Sequence, residues 1–458
     1  MLEPRSGIVS YAAHLPVYRL ARNDIAAALR TSAGKGDRIV ASFDEDSTTL
    51  GVAAARVALR GHAATAAPVF FATTTPAYCD KTNATAVHAA LGLPETGFAA
   101  DLCGAPRSGV AAMRFAQDAE GVAVMSDVIV GRPGSADESG GGDGAAAFVF
   151  GPVEQSIAVL LGSASLTEEF LDRWRAPGAV GGNQWEERFG YQHYAALIDR
   201  VVKLALADAD IDHADHVVVV SSNSAVAKKA KNIVPGHTAR GSSIGYAGTA
   251  GIGVALADAL DRAKPQETIL LISASDGADA LVLQVTDRID EGRQPRSVAA
   301  QLEGGHTVDY PTYLTWRGLI DREPPRRPEP ERVSGPAAAR NSAWKFGLNG
   351  SRCSECGFVH LPPARVCKEC GAADRMTAEP IAGQPGVVAT YTIDRLAYSP
   401  APPVAQAVVD FDDGGRFTFE VADADPAALE VGARVETVFR RLNSAAGVHN
   451  YFWKVRVL

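Results

Sequence analysis

The chain holds six cysteines, and their spacing sorts them by chemistry. Cys353-x-x-Cys356 and Cys367-x-x-Cys370 are two knuckles whose thiolates can close a tetrahedral shell around zinc, and the glycine after each lets the backbone turn toward the sulfurs. Such a shell leaves no open position, so this zinc is expected to be structural. Cys79 and Cys103 remain as free thiols. Cys103 lies in Ala99-Ala100-Asp101-Leu102-Cys103-Gly104-Ala105-Pro106-Arg107-Ser108-Gly109: a short apolar lead, a tight Gly/Pro turn, then a small-residue run with helical spacing. A thiol at a strand-to-helix turn sits near the helix's unpaired N–H groups, which favour thiolate and make a nucleophile. Free cysteine is also among the most buried residue types, so this stretch alone reads as a structural thiol, and the case for chemistry must come from the rest of the chain.

The segments that would hold the turn alternate between apolar strands and helices. Ile8-Val9-Ser10-Tyr11 reads as a strand, followed by a helix with Asn23 as its N-cap. Asp44-Glu45-Asp46 then caps an alanine-rich helix running to Leu59. Val69-Phe70-Phe71-Ala72 is a strand, 82–91 a helix, Val122-Ala123-Val124-Met125 a strand, and a Gly- and acid-rich loop leads into the strand 145–150. The pattern then recurs. A helix at 194–207, the strand 217–220, a lysine-bearing helix and the turn 245–251 precede a helix at 252–263, and two strands flank Asp276-Gly277. Short, continuously apolar strands between helices describe an α/β protein with a parallel or mixed sheet covered on both faces. Two related halves, about 1–155 and 156–321, are expected, with a site where their loops meet.

Residues 322–343 are rich in Pro, Arg and Glu with no hydrophobic period, and read as a linker. The zinc ribbon is expected over 344–384. The short alternating strands of 385–458 suit a small β-barrel of the OB type.

Composition sets the outer limits. The 458 residues are 47% hydrophobic and 21% charged, an ordinary globular balance at a length that implies two or three domains. The net charge of -9 weighs against nucleic acid or an anionic membrane as a partner of the whole surface. No run approaches the roughly 18 apolar residues of a transmembrane helix. Met1-Leu2-Glu3-Pro4-Arg5 lacks the charged and apolar regions of a signal peptide, so a cytoplasmic location is expected, in keeping with unpaired thiols.

Several separated stretches then fall into one order: Gly7-Ile8-Val9-Ser10-Tyr11, Leu15-Pro16-Val17-Tyr18-Arg19, Asp44-Glu45-Asp46, the Cys103 turn, Gly142-Asp143-Gly144-Ala145-Ala146-Ala147 and Asp309-Tyr310-Pro311-Thr312-Tyr313. This order resembles the thiolase superfamily and, within it, the archaeal-type 3-hydroxy-3-methylglutaryl-CoA synthases. The C-terminal part resembles the zinc-ribbon/OB-fold proteins that accompany such thiolases. The resemblance implies a five-layered α/β/α/β/α fold, normally a homodimer, that uses coenzyme A thioesters and carries the acyl group on a cysteine matched by Cys103. A thiolate attacks a thioester readily, and the new thioester is equally activated for the next transfer.

Three positions depart from that pattern. Thr74 stands where the resemblance implies an acid/base glutamate, no histidine occurs in 220–223 where one is implied, and Tyr246 replaces an asparagine. An enolate needs a base to form it and donors to hold its oxyanion, so the departures argue against the standard synthase reaction. Candidate replacements are Tyr246 as proton donor, His193 or His237 as base, and Ser222 and Asn223 as oxyanion donors. Arg107, Lys228, Lys229, Lys231 and Arg240 are candidate cations for the phosphates of coenzyme A, although charge runs on helices are commonly solvated faces. Asp143 reads as structural. The expected function is an acyl-CoA-dependent acyltransferase with the acyl group on Cys103. The zinc-ribbon/OB part would brace the coenzyme entrance or dock a further enzyme. Two other readings stay open: a retro-aldol or retro-Claisen lyase relying on Tyr246, and a non-catalytic acyl-CoA-binding scaffold.

Overall fold

Ten strands form one mixed sheet in the computed structural model, which describes residues 6–32, 34–62, 67–234, 239–240, 242–423, 425 and 428–458. They are β1 (Ser6–His14), β2 (Val69–Thr73), β3 (Ala99–Cys103), β4 (Val122–Asp127), β5 (Gly144–Pro152), β6 (Ala158–Leu166), β7 (His216–Ser221), β8 (Ala239–Arg240), β9 (Thr268–Ala274) and β10 (Ala278–Val285). Their order is β8-β7-β9-β10-β6-β1-β5-β4-β2-β3. In the first half β1 and β5 are antiparallel, as are β5 and β4, while β4 with β2 and β2 with β3 are parallel. The second half, β6-β10-β9-β7-β8, repeats that order and those directions. The halves meet where Ile8 faces Ala158. The central strands β4 and β9 are buried almost throughout, which is why the runs 122–125 and 269–272 within them are apolar without alternation.

Helices cover this sheet on both sides and fill its middle. α1 (Ser47–Ala58) packs on β1, β4 and β5, and α3 (Glu187–Asp208) packs on β6, β9 and β10. Between the two sheet halves α2 (Ser108–Asp118) lies against α5 (Ala250–Arg262), giving the α/β/α/β/α layering of a thiolase-like fold. The small residues of these inner helices are dictated by close approach: a Cβ on Gly253 would stand 2.7 Å from Ala146 Cβ. The expected caps are only partly seen. Asp46 caps α1 in a reciprocal capping box with Thr49, whereas the helix Arg22–Leu29 begins one residue before Asn23 and has no side-chain cap.

The chain divides into two compact units, Met1–Ala41, Asp46–Thr85 and Pro94–Tyr313 forming one, and Ser42–Glu45, Ala86–Leu93 and Leu314–Leu458 the other. In the second unit β11 (Asn349–Cys353), β12 (Val359–His360) and β13 (Met376–Pro380) form the ribbon sheet. Next come β14 (Gly386–Asp394), β15 (Val404–Phe411), β16 (Arg416–Glu420), β17 (Arg434–Ala445) and β18 (Val448–Val457), in the order β16-β15-β14-β17-β18. A parallel bridge between Val421 and Val455 joins the outer strands into a barrel. Within the stretch read as linker, Gly335–Arg340 is a helix with Pro336 in its first turn, and Ser342–Lys345 forms another short helix. Trp344 then anchors the chain edge-on against Phe417, 5.1 Å between ring centroids.

Asp44 and Glu45, expected to act on the α1 dipole, instead belong to a buried ion cluster of the second unit. Lys454 holds Asp44 and Glu420 at 2.8 Å each, and Arg440 reaches Glu45 and Asp423 at 2.5 Å. Burial opposes ionisation of Asp44, but Lys454 and Arg440 outweigh it and pull its carboxyl down to about 2. Among the described residues no helix is long and apolar enough to cross a membrane.

Candidate active site

Cys103 is the last residue of β3, opposite Thr73 of β2. The chain then turns through Gly104, Ala105 and Pro106, and α2 begins only at Ser108. The sulfur is therefore not at the helix N-terminus. Its surroundings oppose ionisation: partial burial, then the charges of Asp101 and Asp127 and the nearby Cys79, push the thiol up to about 11. The expected helix-stabilised thiolate is thus a protonated thiol in the free protein.

Beside this turn lies a cavity of about 90 Å³ lined by Thr74, Thr75, Gly104–Pro106, Arg173, Arg175, Ser222, Tyr246, Ser275 and Asp276, among others. A second, of about 240 Å³, shares Pro106, Arg173, Ser222, Tyr246 and Ser275 with it and extends to Val219, Val220, Ala247 and Ile252. The first chamber is polar where it meets the cysteine turn, and the second is mostly apolar. Both chambers lie where loops of the two sheet halves meet.

One carboxylate ties Thr74 and Thr75 of the smaller cavity's wall to the Gly248–Thr249 turn, whose glycine lines the larger. Asp127 ends β4 fully buried, and its Oδ1 accepts from Thr73 Oγ1, Thr74 N, Thr74 Oγ1 and Thr75 Oγ1 at 2.7–3.0 Å. Its Oδ2 accepts from Thr249 N at 2.6 Å and Thr249 Oγ1 at 2.9 Å. Burial still raises its pKa against these bonds. Gly248 must be glycine here, since it has φ +55° and a Cβ would meet Asp127 Oδ2 at 2.1 Å.

Tyr246 is seated by backbone: its N–H donates to Gly140 O, and its carbonyl accepts from Gly142 N, both at 3.0 Å. Its ring packs under the Arg173 guanidinium, 4.2 Å from carbon to centroid, and Arg173 is held by Asp137 through two bonds of 2.8 and 2.5 Å. Burial pushes the phenol up to about 12 against the pull of Arg173, so it keeps its proton at neutral pH. Ser222 also lines both cavities, with its hydroxyl 3.3 Å from Ser275 Oγ.

Other expected site residues stand elsewhere. Asn223 is the N-cap of α4 (Ser224–Lys229): its Oδ1 accepts from Ala225 N and Val226 N, and its Nδ2 donates to Asp172 and the Glu187 carbonyl. With both ends committed it has no donor for an oxyanion; an Asn directly before a helix is a capping signal the sequence carried. His193 Nδ1 is 2.7 Å from Glu168 Oε1, its ring is stacked 4.7 Å from Phe170, and it lines neither cavity. His237 lies outside the described residues. Arg107 is bound to Asp279 by two contacts, of 2.8 and 3.2 Å, and donates to the Asp276 carbonyl. Lys228 lines the larger cavity and faces Glu187 at 3.6 Å. Lys229 sits 3.9 Å above the Tyr191 ring, Lys231 falls in the turn Ala230–Asn232, and Arg240 is exposed on β8. Asp127, Arg173, Arg175 and Ser275 carry no signal in the sequence that singles them out. Asp276 stands out in the sequence only as part of the Asp-Gly pair between two strands.

The four knuckle sulfurs lie within 4.8 Å of one another, with Cys353–Cys370 at 3.7 Å and Cys356–Cys367 at 3.6 Å. Those separations match the edge of a tetrahedron built on zinc–sulfur bonds of about 2.3 Å. Gly357 and Gly371 take φ of 78° and 76°, and each donates its N–H to the carbonyl of its knuckle's first cysteine at 2.9 Å. The donor set fits zinc.

Comparison with known proteins agrees with this architecture. Hydroxymethylglutaryl-CoA synthase of Archaeoglobus fulgidus is 31% identical over 343 residues, spanning 69% of this chain and 99% of that protein. The chain belongs to the hydroxymethylglutaryl-CoA synthase family. The synthase of Aeropyrum pernix is 32% identical over 347 residues, 69% of this chain and 96% of its own length. Beyond the synthase-like part, residues 348–374 match the family model "ChsH2, rubredoxin-like zinc ribbon domain", and residues 378–440 match "ChsH2, C-terminal OB-fold domain". A crystal structure of HMG-CoA synthase complexed with CoA shares the fold at TM-score 0.58 and 18% identity, over 72% of this chain and 94% of that one. FabH, 3-oxoacyl-(acyl carrier protein) synthase III from Pseudomonas aeruginosa, does so at 0.53 and 20%, over 62% and 98%. The synthase-family chain thus carries a zinc ribbon and an OB fold at its C-terminus.

Proposed function

We propose that this protein is an acyl-CoA-dependent acyltransferase in which Cys103 carries the acyl group to a second substrate. The observation that carries this reading is the placing of Cys103 at a strand end, its turn lining a cavity with Tyr246, Ser222 and Ser275. Family membership supports the chemistry: relatives are named hydroxymethylglutaryl-CoA synthases, and a solved fold neighbour binds CoA. In the first half-reaction the Cys103 sulfur bonds to the thioester carbonyl carbon, the carbon–sulfur bond to coenzyme A breaks, and the cysteine proton ends on the departing coenzyme thiol. In this reading the proton-bearing Tyr246 and the hydroxyls of Ser222 and Ser275, which line the cavity, donate to the oxyanion. Thr74 is tied to Asp127 and offers no base, so the second substrate is not activated there. Lys228, at the rim of the larger chamber, fits the coenzyme phosphates best among the expected cations.

Incubation with a panel of acyl-CoA thioesters followed by intact-protein mass spectrometry tests this. An acyl mass gain mapped to Cys103, absent in Cys103→Ala, is expected; acylation of Cys103→Ala at the wild-type rate overturns it. Tyr246, facing the same cavity, favours a second reading as a retro-aldol or retro-Claisen lyase of a CoA thioester. In that case Tyr246→Phe abolishes cleavage and Cys103→Ala does not. We also infer a homodimer: β3 ends the sheet with an unpaired edge among the described residues, flanked by the exposed Phe98 and Phe115. Light scattering after size exclusion is expected to give twice the chain mass.

A further inference from the structure

If Cys103 carries the acyl group, the transfer still needs a group to activate the acceptor, and the lining of the smaller cavity narrows the choice. Its charged members among the described residues are Arg173, Arg175 and Asp276. Arg173 is neutralised by the two bonds to Asp137. Asp127, behind the wall, has both oxygens saturated and no access. Asp276 differs from both. It occupies the turn between β9 and β10, its backbone N–H donates to Tyr194 Oη at 3.3 Å, and its carbonyl accepts from Arg107 at 2.8 Å. Its side chain lines the cavity, and no described residue donates a hydrogen bond to its carboxylate. Arg175 is the counterpart: its guanidinium donates to the Thr74 carbonyl, one residue past the Thr73–Cys103 pair, and no carboxylate among the described residues pairs with it.

We propose that Asp276 is the general base of the transfer step and that Arg175 holds the anion it creates, so that the acceptor is a small molecule that reacts as an oxyanion, a phenol or an enolisable β-dicarbonyl compound. This rests on the acyl-carrier reading. The acceptor's O–H proton passes to Asp276, and its oxygen pairs with Arg175. The ring or α-carbon then bonds to the acyl carbonyl carbon while the bond to Cys103 breaks, and the thiolate takes the proton from that carbon. Asp276 returns its proton to the oxygen. The sum is acyl-cysteine plus acceptor giving acylated acceptor plus free thiol. A preformed anion explains how the site operates with Thr74 in place of a base and a guanidinium beside it.

Asp276 faces Arg107, Glu169, Asp172 and Tyr194. Burial and Glu169 raise its carboxyl while Arg107 opposes them, so the base form is lost as pH falls through a value above the usual carboxylate range.

The test separates the half-reactions on the full-length protein. Cys103 is first acetylated with acetyl-CoA, and loss of the adduct is then timed by mass spectrometry with resorcinol, with acetylacetone, or with the dimethyl ether of resorcinol. At least one of the first two is expected to discharge the adduct, and the ether, lacking an acidic O–H, is not. Asp276→Asn is expected to slow discharge by roughly 100-fold or more and to remove the acid-side fall of the rate, with adduct formation changed by less than about threefold. Asp276→Glu recovers part of the rate. Arg175→Gln raises the half-saturating acceptor concentration, and Arg175→Lys restores much of it. Discharge by Asp276→Asn at the wild-type rate, equal discharge by the ether, or no discharge by either acidic probe overturns the proposal. Failure of the wild type to form any adduct defeats the acyl-carrier reading itself, and this role with it.

Discussion

Replacing Asp143 with alanine isolates what seats the tyrosine of the cavity. Asp143 is fully buried; its Oδ1 accepts from Arg38 at 3.2 Å and Ile129 N at 2.9 Å, and its Oδ2 accepts from Ala41 N at 2.8 Å. Arg38 is equally buried and spends its other bonds on the carbonyls of Asp137, Glu138 and Ile129. Asp143→Ala leaves that cation without its direct charge partner and strands two backbone N–H groups. Breaking a buried pair by removing one member costs about 3–5 kcal/mol. Each stranded N–H adds about 1–3 kcal/mol, less where water enters the space vacated by the carboxylate. A loss of about 5 kcal/mol is therefore expected, a large share of the roughly 5–15 kcal/mol that holds an ordinary domain together. Because Gly142 and Gly140 carry the backbone bonds of Tyr246, Cys103 acylation should fall before the fold is lost. Urea unfolding followed by circular dichroism gives the energy. Asp143→Leu combined with Arg38→Met should recover most of the loss, since neither charge is then left alone. A loss below about 1.5 kcal/mol for the alanine variant, or a double variant no better than the single, would refute the assignment.

Alkylation of Cys103 by iodoacetamide in the free protein should rise about tenfold per pH unit between neutrality and its value of about 11, because only the thiolate reacts. Peptide mapping reads the rate, and a plateau near neutral pH contradicts it. Gly248→Ala, with φ +55° and Asp127 Oδ2 in the path of the new Cβ, should lower stability by about 3 kcal/mol or more, read as a fall in Tm. Metal analysis should find one zinc per chain. Chelation or Cys367→Ser should unfold the ribbon β11–β13, seen as new proteolytic sites in 348–374, while the synthase-like sheet stays resistant.

What could be read from sequence follows the range of the forces involved. The knuckles are local geometry, and their spacing alone specified the cluster of sulfurs. The strands β4, β7 and β9 announce themselves because burial leaves the runs 122–125, 217–220 and 269–272 within them without a polar residue. Charges behave differently, since a carboxylate's role depends on what the fold brings to it from afar. Asp44, Glu45 and Asp46 are consecutive, yet only Asp46 caps a helix, while Asp44 pairs with Lys454 and Glu45 with Arg440. Asp276 reads as a turn residue until β9 and β10 place it in the cavity wall. The thiolate expected at Cys103 is opposed for the same reason: the helix starts five residues later, while burial and the charges of Asp101 and Asp127 raise the thiol.

The Asp127 knot limits how this chamber can be redesigned. Because one carboxylate anchors the Thr73–Thr75 strand end and the Gly248–Thr249 turn together, moving either wall to admit a larger substrate disturbs the other and loosens both. Room has to be made from side chains that hang free of the knot. Val219, Val220 and Ile252 line the larger chamber and can be trimmed one methyl at a time, so a library aimed at new acyl chains belongs at these positions and should leave the threonines intact.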